Sequence, residues 1–240
     1  MRTPGDDEEL AAGFLLSEGL IKHRADIAKL ERYERNTTGN VLGIFLADGL
    51  SLDFARLTRH VFASSSCGLC GKATIAAVHA HFKPIRAKWT IPAKTLLGFP
   101  AELRQAQETF TRTGGLHAAA IFTRAGKLVV VREDVGRHNA VDKVLGYGLL
   151  NRLLPFDRHI LMVSGRASFE IMQKALAGRI ALVAAISAPS SLAVEFARKS
   201  RQTLVAFLRG EQMNLYSGSE RVKGAGDPEP GRGKSAPARV

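Results

Sequence analysis

An α/β fold built on a mixed sheet is predicted by three observations. Beyond residue 115, short apolar stretches alternate with segments of helical periodicity, the connections between them are short, and turn-forming residues stand at the joints. In order, "LHAAAIF" reads as a strand, Ala125 and Gly126 as a turn, "KLVVVRE" as a strand and "NAVDKVLGYGLLNRLL" as a helix. Strand "HILMVSG", helix "FEIMQKALAG", strand "ALVAAIS", helix "SLAVEFARKS" and strand "TLVAFLRG" follow. These strands are apolar throughout rather than alternating, which is the pattern of a sheet covered on both faces, so a three-layer α/β sandwich is expected.

Residues 1–110 read as a smaller amino-terminal α+β part. "DDEELAAGFLLSEGL" has acidic residues in its first turn and apolar residues at helical spacing, the pattern of an amphipathic helix closed by Gly19. "VLGIFLADGLSLDF" reads as a hairpin turning at Asp48 and Gly49. A Ser/Gly-rich loop and a helix, "KATIAAVHAHF", come next, then "PAKTLLGFPAELRQAQETF" as helix or turns. Gly114 and Gly115 mark the change to the α/β core of residues 111–222, and residues 223–240 have the Gly/Pro-rich composition of a disordered tail.

At 240 residues and 45% hydrophobic content, the chain can bury a real core. No apolar run is long enough to span a bilayer, and the first nine residues are acidic where a signal peptide is basic and then apolar, so a cytoplasmic protein without a membrane partner is expected. The net charge of +12 raises nucleic-acid binding. A net three of those charges sit in residues 221–240, and the rest look scattered, with no basic stripe interleaved with aromatics. A nucleic-acid partner is therefore not expected.

In an open α/β sheet, ligands sit beyond the carboxyl ends of the strands, where helix N-termini direct free N–H groups at anions. Three strand-to-helix junctions qualify: "EDVGRHN", "SGRAS" and "SAPSS". Asp134, Ser164 or Ser168, and Ser187 or Ser190 could simply cap helices. Capping leaves Arg137 and Arg166 unexplained, as well as the gathering of His138, Asn139, Asp142 and Lys143 on one helix start. Together with Gly165, which lets backbone approach a ligand, these residues predict a pocket for a phosphate-bearing molecule. His117 opens the first strand of the core, where a structural role and a ligand contact both stand open.

The two cysteines, Cys67 and Cys70, lie together in "SSSCGLCGKA". A structural zinc site needs four ligands, and only His79 and His81 are near in sequence. Zinc deaminase chemistry needs H-x-E ahead of P-C-x-x-C. Here alanine, Ala119, stands where the glutamate belongs, and the cysteine pair lies upstream. A dithiol at the start of a helix has its thiol pKa lowered by the helix dipole and by Lys72, which favours nucleophilic thiolate. Redox exchange and sulfur carriage as a persulfide both fit that environment.

Seven segments in order, "MRTPGDDEELAAGFLLSEGLI", "CGLCG", "GGLHAAAIF", "REDVGRHNAVDKVLG", "SGRASFEIMQKA", "SAPSSLAVEFA" and "FLRGEQMNLYSGSERV", resemble the formate dehydrogenase accessory sulfurtransferases, the FdhD family. The resemblance implies a cytidine-deaminase-like fold without the deaminase zinc site, hence no metal of the protein's own. It implies that sulfane sulfur is taken from an L-cysteine desulfurase and passed to the molybdenum cofactor in its Mo-bis(molybdopterin guanine dinucleotide) form, so that formate dehydrogenase becomes active. Carried onto this chain, it makes Cys67 the persulfide carrier and Cys70 its helper or alternative. The cofactor-binding segment becomes Phe207, Leu208, Arg209, Gly210, Glu211 and Gln212. A homodimer is likewise implied, as is a longer reading frame in which Met1 is internal. The alternative is a chaperone that shelters the cofactor without transferring sulfur, its cysteines structural or metal-binding.

Overall fold

The computed structural model describes residues 1–32, 40–50, 70–224 and 238–239, with only the backbone for 70–74 and 238–239. The chain opens with α1 (Asp7–Ser17), then β1 (Ile27–Arg32) and β2 (Leu42–Leu46). Next come α2 (Cys70–His81), β3 (Ile91–Pro92), α3 (Ala93–Gln105) and α4 (Glu108–Thr113). The α/β core follows as β4 (His117–Thr123), β5 (Leu128–Asp134), α5 (Arg137–Leu150), β6 (His159–Val163), α6 (Phe169–Ala177), β7 (Leu182–Ala185), α7 (Ser191–Ser200), β8 (Thr203–Arg209) and β9 (Gln212–Ser217). Two short strands, β10 (Val222–Lys223) and β11 (Ala238–Arg239), come last.

The main sheet has seven strands in the order β11-β9-β8-β7-β6-β4-β5. β6, β7 and β8 run parallel, while β4 is antiparallel to both β5 and β6, and β9 is antiparallel to β8, so the sheet is mixed as expected. β5, β6, β7 and β8 therefore all point their carboxyl ends at one edge, and β4 and β9 start there. The residues of β4, β6 and β7 are almost wholly buried, which is why these segments read as continuous apolar runs.

Three sequence expectations are corrected. β2 pairs with β1, a strand the reading of residues 41–54 as a self-contained hairpin missed; the second arm expected there, residues 51–54, lies outside the described residues. β1 is only marginally amphipathic, and its charged residues hid it. Within the tail, Ala238–Arg239 pairs with Leu215 and Asn214 instead of being unstructured. Finally, residues 1–110 do not keep a separate core: Ala12 and Leu16 of α1, Val78 of α2 and Phe99 of α3 join the same buried cluster as the sheet.

α1 packs directly along α5. The crossing is made possible by two glycines, since a Cβ on Gly13 would stand 1.8 Å from the Asp142 carbonyl oxygen and one on Gly146 1.8 Å from the Glu9 carbonyl oxygen. A buried ion pair fixes the same contact. Lys174 of α6 donates to both Asp142 oxygens at 2.8 Å, and the Ser17 hydroxyl of α1 donates to Asp142 at 2.9 Å. Among the described residues, no helix is long and apolar enough to cross a membrane.

Candidate functional site

The three predicted junctions lie side by side at the carboxyl edge of the sheet and are stitched together by backbone. The Ala118 amide donates to the Ser164 hydroxyl at 2.8 Å, tying the start of β4 to the end of β6. Ala167 and Pro189 form a bridge, with the Ala167 amide donating to the Ala188 carbonyl at 3.2 Å. The Phe207 amide donates to the Ser187 carbonyl at 3.2 Å, so the Phe207 to Gln212 segment is attached to the β7–α7 junction. Phe207 has φ 52, a left-handed conformation that an aromatic residue rarely adopts, and the β8–β9 register shifts there. Leu208 turns into the core, whereas Arg209, Gly210, Glu211 and Gln212 are exposed, with the Arg209 guanidinium 5.9 Å from the Phe207 ring centroid.

His117, Gly165 and Arg137 meet at the centre of this edge. A Cβ on Gly165 would touch His117 Nδ1 at 3.3 Å and Arg137 Cβ at 3.7 Å, so glycine is what allows the β6 junction to close on the other two. Arg137 Nε is buried and has no hydrogen-bond partner among the described residues. A buried guanidinium N–H left this way fits an oxyanion ligand. Burial, then the positive charges of Arg137 and Arg166, hold the His117 pKa below its ordinary value.

His138 Nε2 lies 3.1 Å from the Ser168 hydroxyl, and Glu170 is 3.9 Å away. Burial, followed by the neighbouring Arg137 charge, pushes the His138 pKa down to about 4. Both imidazoles are thus neutral near pH 7 and leave the positive charge at the centre of the edge to Arg137 and Arg166. Glu170 was not singled out from the sequence; it stands in the first turn of α6, where acidic residues are ordinary, so nothing distinguished it.

Asp134 and Asn139 have a different place. One Asp134 oxygen accepts from the Gly136 amide and the Asn139 side chain, at 2.8 and 2.9 Å, and the other from the Thr3 amide and Lys143, both at 3.0 Å. Burial raises this carboxyl, but those donors outweigh it and bring its pKa below the ordinary value. Asn139 also donates to the Met1 carbonyl at 3.0 Å. With every acceptor position in use, Asp134 clasps the amino-terminal strap to the first junction instead of facing a ligand, a correction to its expected contact role.

Of the cysteines, Cys67 lies outside the described residues. The backbone at Cys70 begins α2. α2 packs on α7, with His79 Nε2 3.3 Å from the Ser200 hydroxyl and its ring 5.3 Å from that of Phe196, so His79 is occupied by packing. A separate cavity of about 720 Å³ lies beside α1 and β2, lined by apolar residues such as Phe14, Val41 and Leu42 together with polar ones such as Arg2, Asp7 and Arg32. Of the residues expected at the site it takes in Asn139 and Asp142, and the convergence of histidines and arginines makes the carboxyl edge the better candidate.

The comparison with known sequences decides the family. A sequence model described as the FdhD/NarQ family matches residues 1–223. The chain belongs to the FdhD/NarQ family. Among its relatives, the protein named sulfur carrier protein FdhD from Mycobacterium tuberculosis is 50% identical over 232 residues, covering 92% of this chain and 84% of the relative. The protein of the same name from Saccharolobus solfataricus is 40% identical over 222 residues, covering 92% and 82%. A formate dehydrogenase accessory protein from Desulfotalea psychrophila has a crystal structure that superposes with a TM-score of 0.71 at 28% identity, covering 92% of this chain and 82% of that one. The α/β architecture with its mixed sheet is thus one this family already displays.

Proposed function

We propose that this protein carries sulfane sulfur in the maturation of a formate dehydrogenase, in the cytoplasm. The relatives' names supply the sulfur-carrier role, and the observation in this chain that supports a nucleotide-bearing recipient is the buried, unpartnered Arg137 Nε beside Gly165 and Arg166. In this reading Cys67 is the carrier. Its thiolate attacks the outer sulfur of a persulfide on an L-cysteine desulfurase; a new S–S bond forms, the donor's S–S bond breaks, and the donor cysteine leaves as thiolate with the bonding electron pair. Cys70, at the start of α2, stabilises the charged form or takes over the sulfur.

The recipient is the molybdenum cofactor in its bis(molybdopterin guanine dinucleotide) form, a substrate of the transfer and not a resident group. Its phosphates are assigned to Arg137, Arg166 and the Ser164 to Gly165 backbone, and its guanine end to the segment from Phe207 to Gln212 near Ser187. Neutral His117 and His138 serve as hydrogen-bonding groups that add no charge of their own. The protein functions as a homodimer in this proposal.

Intact-protein mass spectrometry after incubation with desulfurase and L-cysteine tests the first half. Wild type gains increments of about 32 Da, the mass of one sulfur atom each, and Cys67→Ala loses most of them. Equal sulfur loading of wild type and Cys67→Ala would refute Cys67 as carrier. For the recipient half, Arg137→Ala and Arg166→Ala each weaken GDP binding about tenfold; unchanged affinity in both removes the pocket assignment. A double Cys67→Ala, Cys70→Ala protein that still activates formate dehydrogenase would favour the sheltering chaperone.

A further inference from the structure

The charge that looks scattered in sequence gathers at the edge of the sheet opposite the candidate site. α5, α6 and α7 all end there, and each is followed by an arginine in the left-handed conformation: Arg152 at φ 57, Arg179 at φ 63 and Arg201 at φ 57. Glycine is the ordinary residue at such a helix exit, because a Cβ is strained at positive φ. A cation in the last turn does favour the helix dipole, but a lysine or arginine one residue earlier would supply that without the strained backbone.

Two of these arginines share a pocket. A cavity of about 350 Å³ is lined by Lys22, His23, Arg24, Arg152 and Arg179, over a floor that includes Leu16, Leu149 and Leu154. Among the described residues, no acidic side chain lines it. The Asp26 carboxylate, close by in sequence, is turned to the Lys22 and His23 amides at 2.7 and 2.9 Å. Arg24 donates to the Ile27 carbonyl and Arg179 to the Lys83 carbonyl, while Arg152 is exposed and Leu153 beside it is 41% exposed.

Arginine-rich rims around an apolar floor are the composition of protein interfaces. Nucleic-acid surfaces instead interleave cations with aromatic stacking platforms, and no Phe, Tyr or Trp among the described residues lines this pocket. The volume holds one or two carboxylate side chains. We propose that this pocket docks an acidic segment of a partner protein, whose carboxylates pair with Arg152 and Arg179. Because it lies on the far edge of the sheet, a partner can stay docked while the carboxyl edge is engaged. The inference does not depend on the sulfur-carrier reading.

The full chain is titrated into a fluorescein-labelled hexaglutamate peptide at about 50 mM salt, followed by anisotropy. Wild type binds saturably. Arg152→Gly with Arg179→Gly weakens binding about tenfold or more, whereas Lys94→Ala with Arg112→Ala, which removes equal charge from exposed helical positions elsewhere, leaves it within about twofold. The glycines suit the left-handed backbone, so the melting temperature stays level or rises, which separates lost docking from lost folding. Arg152→Gly alone serves where the Lys83 contact matters. Equal binding by wild type and the glycine variant, or equal loss in both double variants, overturns the proposal. So does complete displacement by about 10 mM inorganic phosphate at constant ionic strength, which assigns a small-anion site. Tighter, Arg152-dependent binding of a DNA duplex would assign a nucleic-acid surface instead and equally overturn it.

Discussion

His138→Gln probes how dry the centre of the candidate site is. The wild-type imidazole is held neutral, its pKa pushed from 6.5 to about 4 chiefly by burial and then by Arg137. Between those values the unfolded chain binds a proton that the folded one refuses, so the unfolded state holds more protons and stability falls as pH falls. The full gap corresponds to at most about 3 kcal/mol. The side chain keeps 36% of its exposure, so solvent screening reduces the expected contribution to roughly 1–2 kcal/mol. Glutamine can keep a hydrogen bond to Ser168 but does not titrate. Urea unfolding at about pH 7 and about pH 4.5 is the assay. Wild type should lose roughly 1–2 kcal/mol more than His138→Gln over that interval, with His79, His117 and His159, whose pKa values are also lowered by burial, contributing equally to both proteins. Parallel pH profiles would refute the reasoning, because they would mean that His138 is as well solvated folded as unfolded.

Two further predictions concern the frame that holds the site. Gly146→Ala places a methyl group where only 1.8 Å separates it from the Glu9 carbonyl oxygen, so α1 must move off α5 at about 1–3 kcal/mol or more, measured by thermal denaturation; an unchanged melting temperature would contradict the crossing. Lys174→Met leaves Asp142 buried with Ser17 as its remaining donor and lowers stability by about 3–5 kcal/mol at neutral pH. Burial already raises the Asp142 pKa, and losing the Lys174 charge raises it further. The folded variant then binds a proton that the unfolded chain does not, so its deficit should shrink as pH falls from about 7 to about 5 in urea unfolding; a deficit that grew instead would oppose this account.

The core strands and helices were legible because periodicity is a local property. "SLAVEFARKS" coincides with α7, and the other core elements differ mainly at their ends. β1 was missed because a peripheral strand with three charged residues, Lys29, Glu31 and Arg32, carries no run of apolar side chains. In the site, the sequence marked where His117, Arg137, His138, Gly165 and Arg166 belong along the chain, since turn residues, glycines and arginines at strand ends are local signals. Their meeting was not local. Arg137 Nε is left without a partner, and His138 without its proton, only because three loops close on one another around Gly165.

Asp134 makes the same distinction from the other side. Its sequence neighbours suggested a ligand contact or a helix cap, whereas its four donors include the Thr3 amide, 131 residues away. The basic edge is the clearest case: Lys22, Arg24, Arg152 and Arg179 are dispersed in sequence and become neighbours because the turns leaving successive helices come out on one side of the sheet. Sequence alone therefore determined the elements of the α/β core, the family resemblance and the residue types at each strand end, all of which depend on near neighbours. Charge clustering, protonation and the division between structural and ligand-facing residues depend on distances across the fold, and only the tertiary structure decided them.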